Sequence, residues 1–193
     1  MNFIEQINFY NPETNQEENE KRVIIDYIKQ FPENILLREN EFAHMTSSGF
    51  IMNPELDKIL FIHHKLYNTW TWTGGHADGD TDLYEIALKE ASEETGVKHF
   101  KPLLEGMATL DIIPVFGHVK KGRYVCSHLH LNATYVLIAE ECEKLIVNEE
   151  ETSDVRWISI NELANFSDEP YLIEIYNKII KKAEMFKKNK IKI

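Results

Sequence analysis

The chain has 193 residues, with 21 Lys and Arg against 32 Asp and Glu, and a formal charge of −11. That length suits one domain, with or without an arm, and can bury a core without covalent staples. The acid surplus argues against a general nucleic-acid binder, which needs a cationic footprint, and against docking on an anionic membrane surface.

Cys126 and Cys142 form no scaffold-like pattern and no CxxC, so free thiols in a reducing cytoplasm are expected. The start, Met1-Asn2-Phe3-Ile4-Glu5-Gln6, lacks the basic n-region of a signal peptide. No apolar run approaches the ~20 residues of a membrane span.

In chain order, the first predicted helix covers Asn15 to Gln30. Thr14 and Glu17 read as its capping box, Val23, Ile24, Tyr27 and Ile28 recur at helical spacing, and Pro32 stops it. Residues 1–40 thus read as a helical arm ahead of a main domain over 41–193. Strands follow at Ser47–Met52 and Lys58–His63, separated by a turn at Asn53-Pro54-Glu55. Trp70 and Trp72 lead into Gly74-Gly75. A helix opens at Asp82, with Glu85 as its box partner, and ends at Gly96, a left-handed cap. Further strands are predicted at Met107–Val115, Tyr124–His130, Ala133–Ala139 and Val155–Ile158. Ser159 and Glu162 then cap a short helix. From about Glu169 a last helix carries Leu172, Ile173, Ile175, Tyr176, Ile179, Ile180, Ala183 and Phe186 on one face. Strands interleaved with a few helices, without regular βαβ alternation, predict a mixed sheet in a layered α/β sandwich.

The chemistry lies in Gly75 to Val97, GHADGDTDLYEIALKEASEETGV. On a helix, Glu90, Glu93 and Glu94 fall at i, i+3 and i+4 and share one face. A solvated acidic face is the plain alternative. Against it, Leu83 and Ile86 lie on nearly the same side, and carboxylates near packed surface need cations or protons. A Gly-Gly turn ahead of the helix lets backbone approach a ligand closely. Hard oxygen ligands of this kind suit Mg²⁺ or Mn²⁺.

This segment resembles the Nudix box, G-x5-E-x7-R-E-U-x-E-E-x-G-U, in which U is bulky and aliphatic. Gly75, Lys89-Glu90, Glu93-Glu94, Gly96 and Val97 take its positions at the right spacing. The flanking strands and Val155 to Leu163 extend the resemblance over about residues 44–165. The sequence departs from the box where its first Glu falls at Thr81 and its Arg at Lys89. Lysine supplies the charge without the bidentate fork, and it is placed to pair with Glu85 and Glu93.

The resemblance implies an α/β/α sandwich and a Mg²⁺- or Mn²⁺-dependent hydrolase of a phosphoanhydride in a nucleoside diphosphate derivative or a nucleoside triphosphate. It implies metal ligation by the Gly75 carbonyl, Glu90, Glu93 and Glu94, with Lys89 in support. A glutamate is the expected general base, and Glu149, Glu150 and Glu151 are candidates for the base or a further ligand. His76 and Trp72 are the candidates for substrate contact, with core packing the competing role for Trp72. His128 and His130 share a strand face at i, i+2, a spacing that permits metal ligation, but no further ligand lies nearby in sequence. His44, His63, His64, His99 and His118 have no distinguishing context. The lysine-rich end (Lys181, Lys182, Lys187, Lys188, Lys190 and Lys192) reads as a solvated helix face and tail. The expected partner is a small diphosphate-containing molecule, with a homodimer open and neither nucleic acid nor membrane expected. Two other functions compete: a Nudix-like nucleotide sensor without turnover, and an isopentenyl diphosphate isomerase. The isomerase needs a cysteine where Gly74-Gly75 stand, and none precedes Cys126.

Charge follows the motif. Gly75–Val97 holds seven acids and one base, more than half of the surplus. A metal bound there would let an acidic protein accept a polyphosphate.

Overall fold

The computed structural model describes residues 1–120 and 122–190. Lys192 of the lysine-rich end lies outside the described residues, as does the side chain of Lys190. A short helix, α1 (Phe3–Phe9), opens the chain and was not predicted. Its signal is Asn2 with Glu5, which form a reciprocal capping box. Helix α2 (Asn15–Gln30) has the predicted bounds, but only half of its box. Thr14 accepts from the Glu17 N–H, whereas the Glu17 carboxylate turns to the Glu13 N–H and to Lys182.

Next come β1 (Ala43–Met52), β2 (Lys58–His64), β3 (Thr69–Thr71), β4 (Thr73–His76) and helix α3 (Leu83–Thr95). Then follow β5 (Lys101–Pro102), β6 (Thr109–Val115), the hairpin strands β7 (His118–Lys120) and β8 (Arg123–Val125), β9 (His128–Ile138) and β10 (Thr152–Ser159). A 3₁₀ turn (Ile160–Glu162), α4 (Leu163–Phe166) and α5 (Pro170–Lys190) complete it. The two strands expected at 124–130 and 133–139 are divided differently. Residues 123–125 belong to the hairpin, and β9 runs unbroken through Leu131-Asn132.

The main sheet is mixed. β1 and β9 pair in parallel from Ala43↔Leu129 to Met52↔Ile138, and the other pairings are antiparallel. The order β10-β2-β1-β9-β5 forms the spine, with β3 on β2, β4 on β1 and β6 on β9. Side chains alternate across the sheet. On one face Met45, Ile51, Leu131, Ala133 and Leu137 pack with α1, α2 and α3, through Ile7, Ile24, Ile86 and Ala91. On the other, Phe50, Met52, Phe61 and Val136 pack against Leu172, Tyr176, Ile179 and Ala183 of α5. The result is the expected α/β/α sandwich.

Lys182 corrects the reading of the C-terminal lysines as a solvated face. Its side chain is 9% exposed and donates 2.6 Å to the fully buried Glu17 and 3.0 Å to the Ala108 carbonyl. Beside it Lys178 bonds the equally buried Asp111. Burial works against the Glu17 charge, yet the Lys182, Glu13 and Tyr10 hydrogen bonds hold its pKa below the usual carboxylate value. These ions tie α2, β6 and α5 together. No described helix is long and apolar enough to cross a membrane.

Candidate active site

Local sequence sets α3 on the sheet. Asp82 accepts from the Tyr84 and Glu85 N–H groups at its N-terminus, and Gly96, at φ 80°, closes it. Leu83, Ile86, Ala87 and Ala91 face the sheet and are buried, which fixes the helix's rotation. Ser47 on β1 donates 2.6 Å to the Leu83 carbonyl and pins the helix start to the strand. The same rotation turns Glu90 and Glu94 toward β4.

Glu94 is 3% exposed and accepts the Gly74 N–H at 3.0 Å. Burial pushes its pKa up to about 8, against the Gly74 bond and with the help of the Glu90, Glu151 and Glu93 charges. Glu90 is half-buried beside Gly75. A Cβ at Gly75 would lie 2.4 Å from the Glu90 Cδ, so only glycine leaves room for that carboxylate against the strand. Burial raises the Glu90 pKa as well, with Lys89 opposing and Glu93 and Glu151 reinforcing the rise. Glu93 points to the more open side.

Glu151 is thus the acid of the Glu149–Glu151 run whose charge is felt by both buried glutamates. It sits in the turn before β10, and its carbonyl accepts the Lys65 N–H. No sequence signal separated it from its two neighbours, because its position depends on how β10 docks on β2.

Two carboxylates with raised pKa, Glu90 and Glu94, lie against the Gly74-Gly75 backbone, and the charges of Glu93 and Glu151 reach both, a set of hard-oxygen donors short of positive charge. Lys89 is exposed, and its ammonium lies 4.0 Å from Glu90 rather than pairing with Glu85 or Glu93. At that range on a surface it tunes charge without fixing geometry. Thr81 is exposed and lies outside the helix, whose cap is Asp82.

The substrate-side candidates separate. Trp72 is buried on the α5 face, 6.3 Å from the Phe50 ring and 5.1 Å from Tyr176, so its indole is not offered to a ligand. Trp70, two residues earlier and packed against the same α5-side core, is the more accessible, covered on one side by the Arg156 guanidinium at 4.5 Å. His76 ends β4, with its ring among three other histidines. In the loop before α3, Arg38 makes a two-pronged bond to Asp78, which holds that carboxyl below its ordinary pKa.

The NUDIX domain family model matches residues 43–179, well over half of the chain. The chain belongs to the Nudix family. Its members hydrolyse pyrophosphate linkages in nucleotide derivatives, generally with divalent metals. Among curated proteins the chain is similar to an uncharacterized Nudix hydrolase, YvcI, of Bacillus subtilis, at 24% identity over 59% of this chain and 66% of that one. It is also similar to nucleoside diphosphate-linked moiety X motif 6 of Xenopus laevis, at 28% identity over 63% of this chain and 52% of that one. The chain therefore spans between about half and two thirds of the length of these relatives. Among solved structures, a Clostridium perfringens hydrolase of the Nudix family superposes with TM-score 0.50 and 20% identity, over 72% of this chain and 96% of that one. A C. elegans Ap4A hydrolase binary complex gives TM-score 0.50 at 14% identity, over 75% and 98%. These likenesses establish the Nudix fold.

Proposed function

We propose that this chain is a Mg²⁺- or Mn²⁺-dependent hydrolase that cleaves the phosphoanhydride bond of a nucleoside diphosphate derivative or nucleoside triphosphate. The observation that carries the reading is the pair of carboxylates, Glu90 and Glu94, pressed onto the Gly74-Gly75 backbone. In this reading the Gly75 carbonyl, Glu90, Glu93 and Glu94 hold the cation, and Glu151, whose charge acts on Glu90 and Glu94, is the candidate further ligand or base. Bound there, the cation would polarise the phosphoryl oxygens and lower the pKa of bound water. The chain's own part is to hold the carboxylates. The Gly74 N–H orients Glu94, and the apolar face of α3 sets the helix rotation that aims Glu90. Lys89 offsets part of the Glu90 charge. An Ap4A hydrolase and an E. coli dihydroneopterin triphosphate pyrophosphohydrolase share the fold, the latter at TM-score 0.51. Both activities fit a polyphosphate-linked substrate. The family match covers 43–179, consistent with a main domain over 41–193, while the preceding segment over 1–40, read from sequence as an arm, packs Phe3, Ile7, Ile24 and Ile28 into the same core.

The test is a panel of nucleoside diphosphate derivatives and triphosphates, assayed with Mg²⁺ and Mn²⁺ by phosphate release coupled to a phosphatase. Glu93→Gln and Glu94→Gln should each abolish turnover while the circular dichroism spectrum is retained. Full activity in both would overturn the reading. Tight nucleotide binding without turnover in the unaltered chain would point to a sensor instead.

A further inference from the structure

A second cluster of ligand-type side chains lies on the sheet face opposite α3. Strand alternation puts it there. Ser47 points to α3, so its β1 neighbours His44, Thr46 and Ser48 point to the other face, where Thr46 and Ser48 both donate to Asn132. Parallel pairing sets His44 opposite His130, and antiparallel pairing sets Thr46 opposite His76. His128 is two residues from His130, on the same face of β9. Three strands thus deliver four imidazoles to one spot. One nitrogen from each of His44, His76, His128 and His130 lies within 4.8 Å of all the others.

The hydrogen bonds around the rings prepare them as ligands. His44 Nδ1 lies 2.9 Å from the Asn40 carbonyl and His128 Nδ1 lies 2.9 Å from the Cys126 carbonyl. A carbonyl only accepts, so each Nδ1 carries a proton, and in the neutral imidazole that tautomer leaves the Nε2 lone pair for a metal. That is the outer-shell arrangement that orients metal-binding histidines. The Nε2 of His44 is buried and has no hydrogen-bond partner, so it aims an unsatisfied lone pair into the cluster. The Nε2 atoms of His128 and His130 are 3.2 Å apart. With Zn–N bonds of roughly 2.0–2.1 Å, tetrahedral geometry sets neighbouring donors about 3.3 Å apart. His44 is buried and His76, His128 and His130 are partly buried, so the cluster keeps some contact with solvent.

We propose that His44, His76, His128 and His130 bind a borderline transition-metal cation of the Zn²⁺, Co²⁺ or Ni²⁺ class, at a site separate from the carboxylates on α3. The donor chemistry divides the two. Imidazoles select this class, whereas carboxylates and carbonyls suit Mg²⁺ and Mn²⁺. Among the described residues no carboxylate belongs to the cluster, so the bound ion would keep its double charge on the sheet face behind Gly75. The inference does not depend on the hydrolase reading.

The experiment uses the full chain, stripped with chelator and held in excess Mg²⁺ so that the carboxylate centre is saturated. Zn²⁺ or Co²⁺ is then added, and metal retained after gel filtration is measured by mass spectrometry. The expected result is one retained equivalent of Zn²⁺ and a Co²⁺ visible spectrum showing nitrogen ligation. Both should be lost in His128→Ala and in His130→Gln, two partly buried positions whose variants are checked for folding by thermal melts. Both should persist in Glu93→Gln. Three results would overturn the proposal: no retained Zn²⁺ in the unaltered chain, unchanged retention in the folded histidine variants, or loss of retention in Glu93→Gln.

Discussion

Gly75→Ala isolates the claim that the site depends on a carboxylate lying against a bare backbone. The new Cβ would sit 2.4 Å from Cδ, 2.7 Å from Oε1 and 2.8 Å from Cγ of Glu90. Ordinary contact starts at 3.4 Å, so the carboxylate must retreat by about 1 Å. Glu90 is the free end of a flexible side chain and can do so at a rotamer cost of about 1 kcal/mol, or roughly 2–4 °C in Tm. A displacement of about 1 Å at a reacting centre costs on the order of 100-fold in rate. The expected outcome is a fold that survives and a kcat about 100-fold lower, measured by coupled phosphate release at saturating Mg²⁺. Gly74→Ala is the control. Its Cβ meets the Ser47 carbonyl oxygen at 2.9 Å and the Ser48 Cα at 3.2 Å, which are strand backbone and cannot swing away. It should lose more stability than Gly75→Ala. A Gly75→Ala protein with unaltered kcat would refute the reasoning, as would an activity loss explained wholly by unfolding.

Lys182→Met should cost about 3–5 kcal/mol in urea unfolding, because it leaves the fully buried Glu17 with Lys178 at 3.8 Å as its nearest remaining cation. Adding Glu17→Gln should recover part of that loss, and additive losses would count against the network. Glu94 gives a pH signature in metal-free protein. Its folded pKa of about 8 exceeds the ordinary 4.5, so its stabilising contribution is full below about pH 4.5 and is lost as pH rises through 8. The urea midpoint of Glu94→Gln in chelator should therefore gain on that of the unaltered chain across this window, and parallel curves would refute the assignment. Added Mg²⁺ should raise Tm more at pH 9 than at pH 6, since the ligands must be deprotonated. Trp72→Ala should cost about 3–5 kcal/mol as a core truncation. Trp72→Phe should leave KM for the best nucleotide unchanged, and a tenfold rise would place the indole at the substrate after all.

The features legible in the sequence are those whose physics is local. The segment that resembles the Nudix box is one helix with its entry loop, so the spacing of Gly75, Glu90, Glu93, Glu94 and Gly96 was legible locally, and the site roles proposed for them come from that resemblance. The bounds of α2, the Asp82 N-cap and the Gly96 C-cap of α3 follow from neighbours within a turn, though the predicted Glu85 half of the α3 capping box is absent because the Asp82 N–H goes to Asp80, and the apolar stripe of α5 follows from a 3.6-residue period. Trp70 and Trp72, at i and i+2, pack on the same α5 side, and the sequence did not show which side that is, because a strand has two faces and only packing chooses between them.

Tertiary structure decided what depends on register between distant strands. Glu17 reads as a capping residue, yet its carboxylate serves Lys182, 165 residues away. Glu151 is one of three consecutive acids until β10 docks on β2 and brings its charge to the glutamates of α3. His44, unremarkable in the sequence, meets His130 through the parallel β1–β9 register across 86 residues. A one-residue slip in that pairing would turn His44 to the other face of the sheet and dissolve the cluster. Spacing along one element placed the glutamates of α3 on one face, whereas pairing between elements brought the four histidines together.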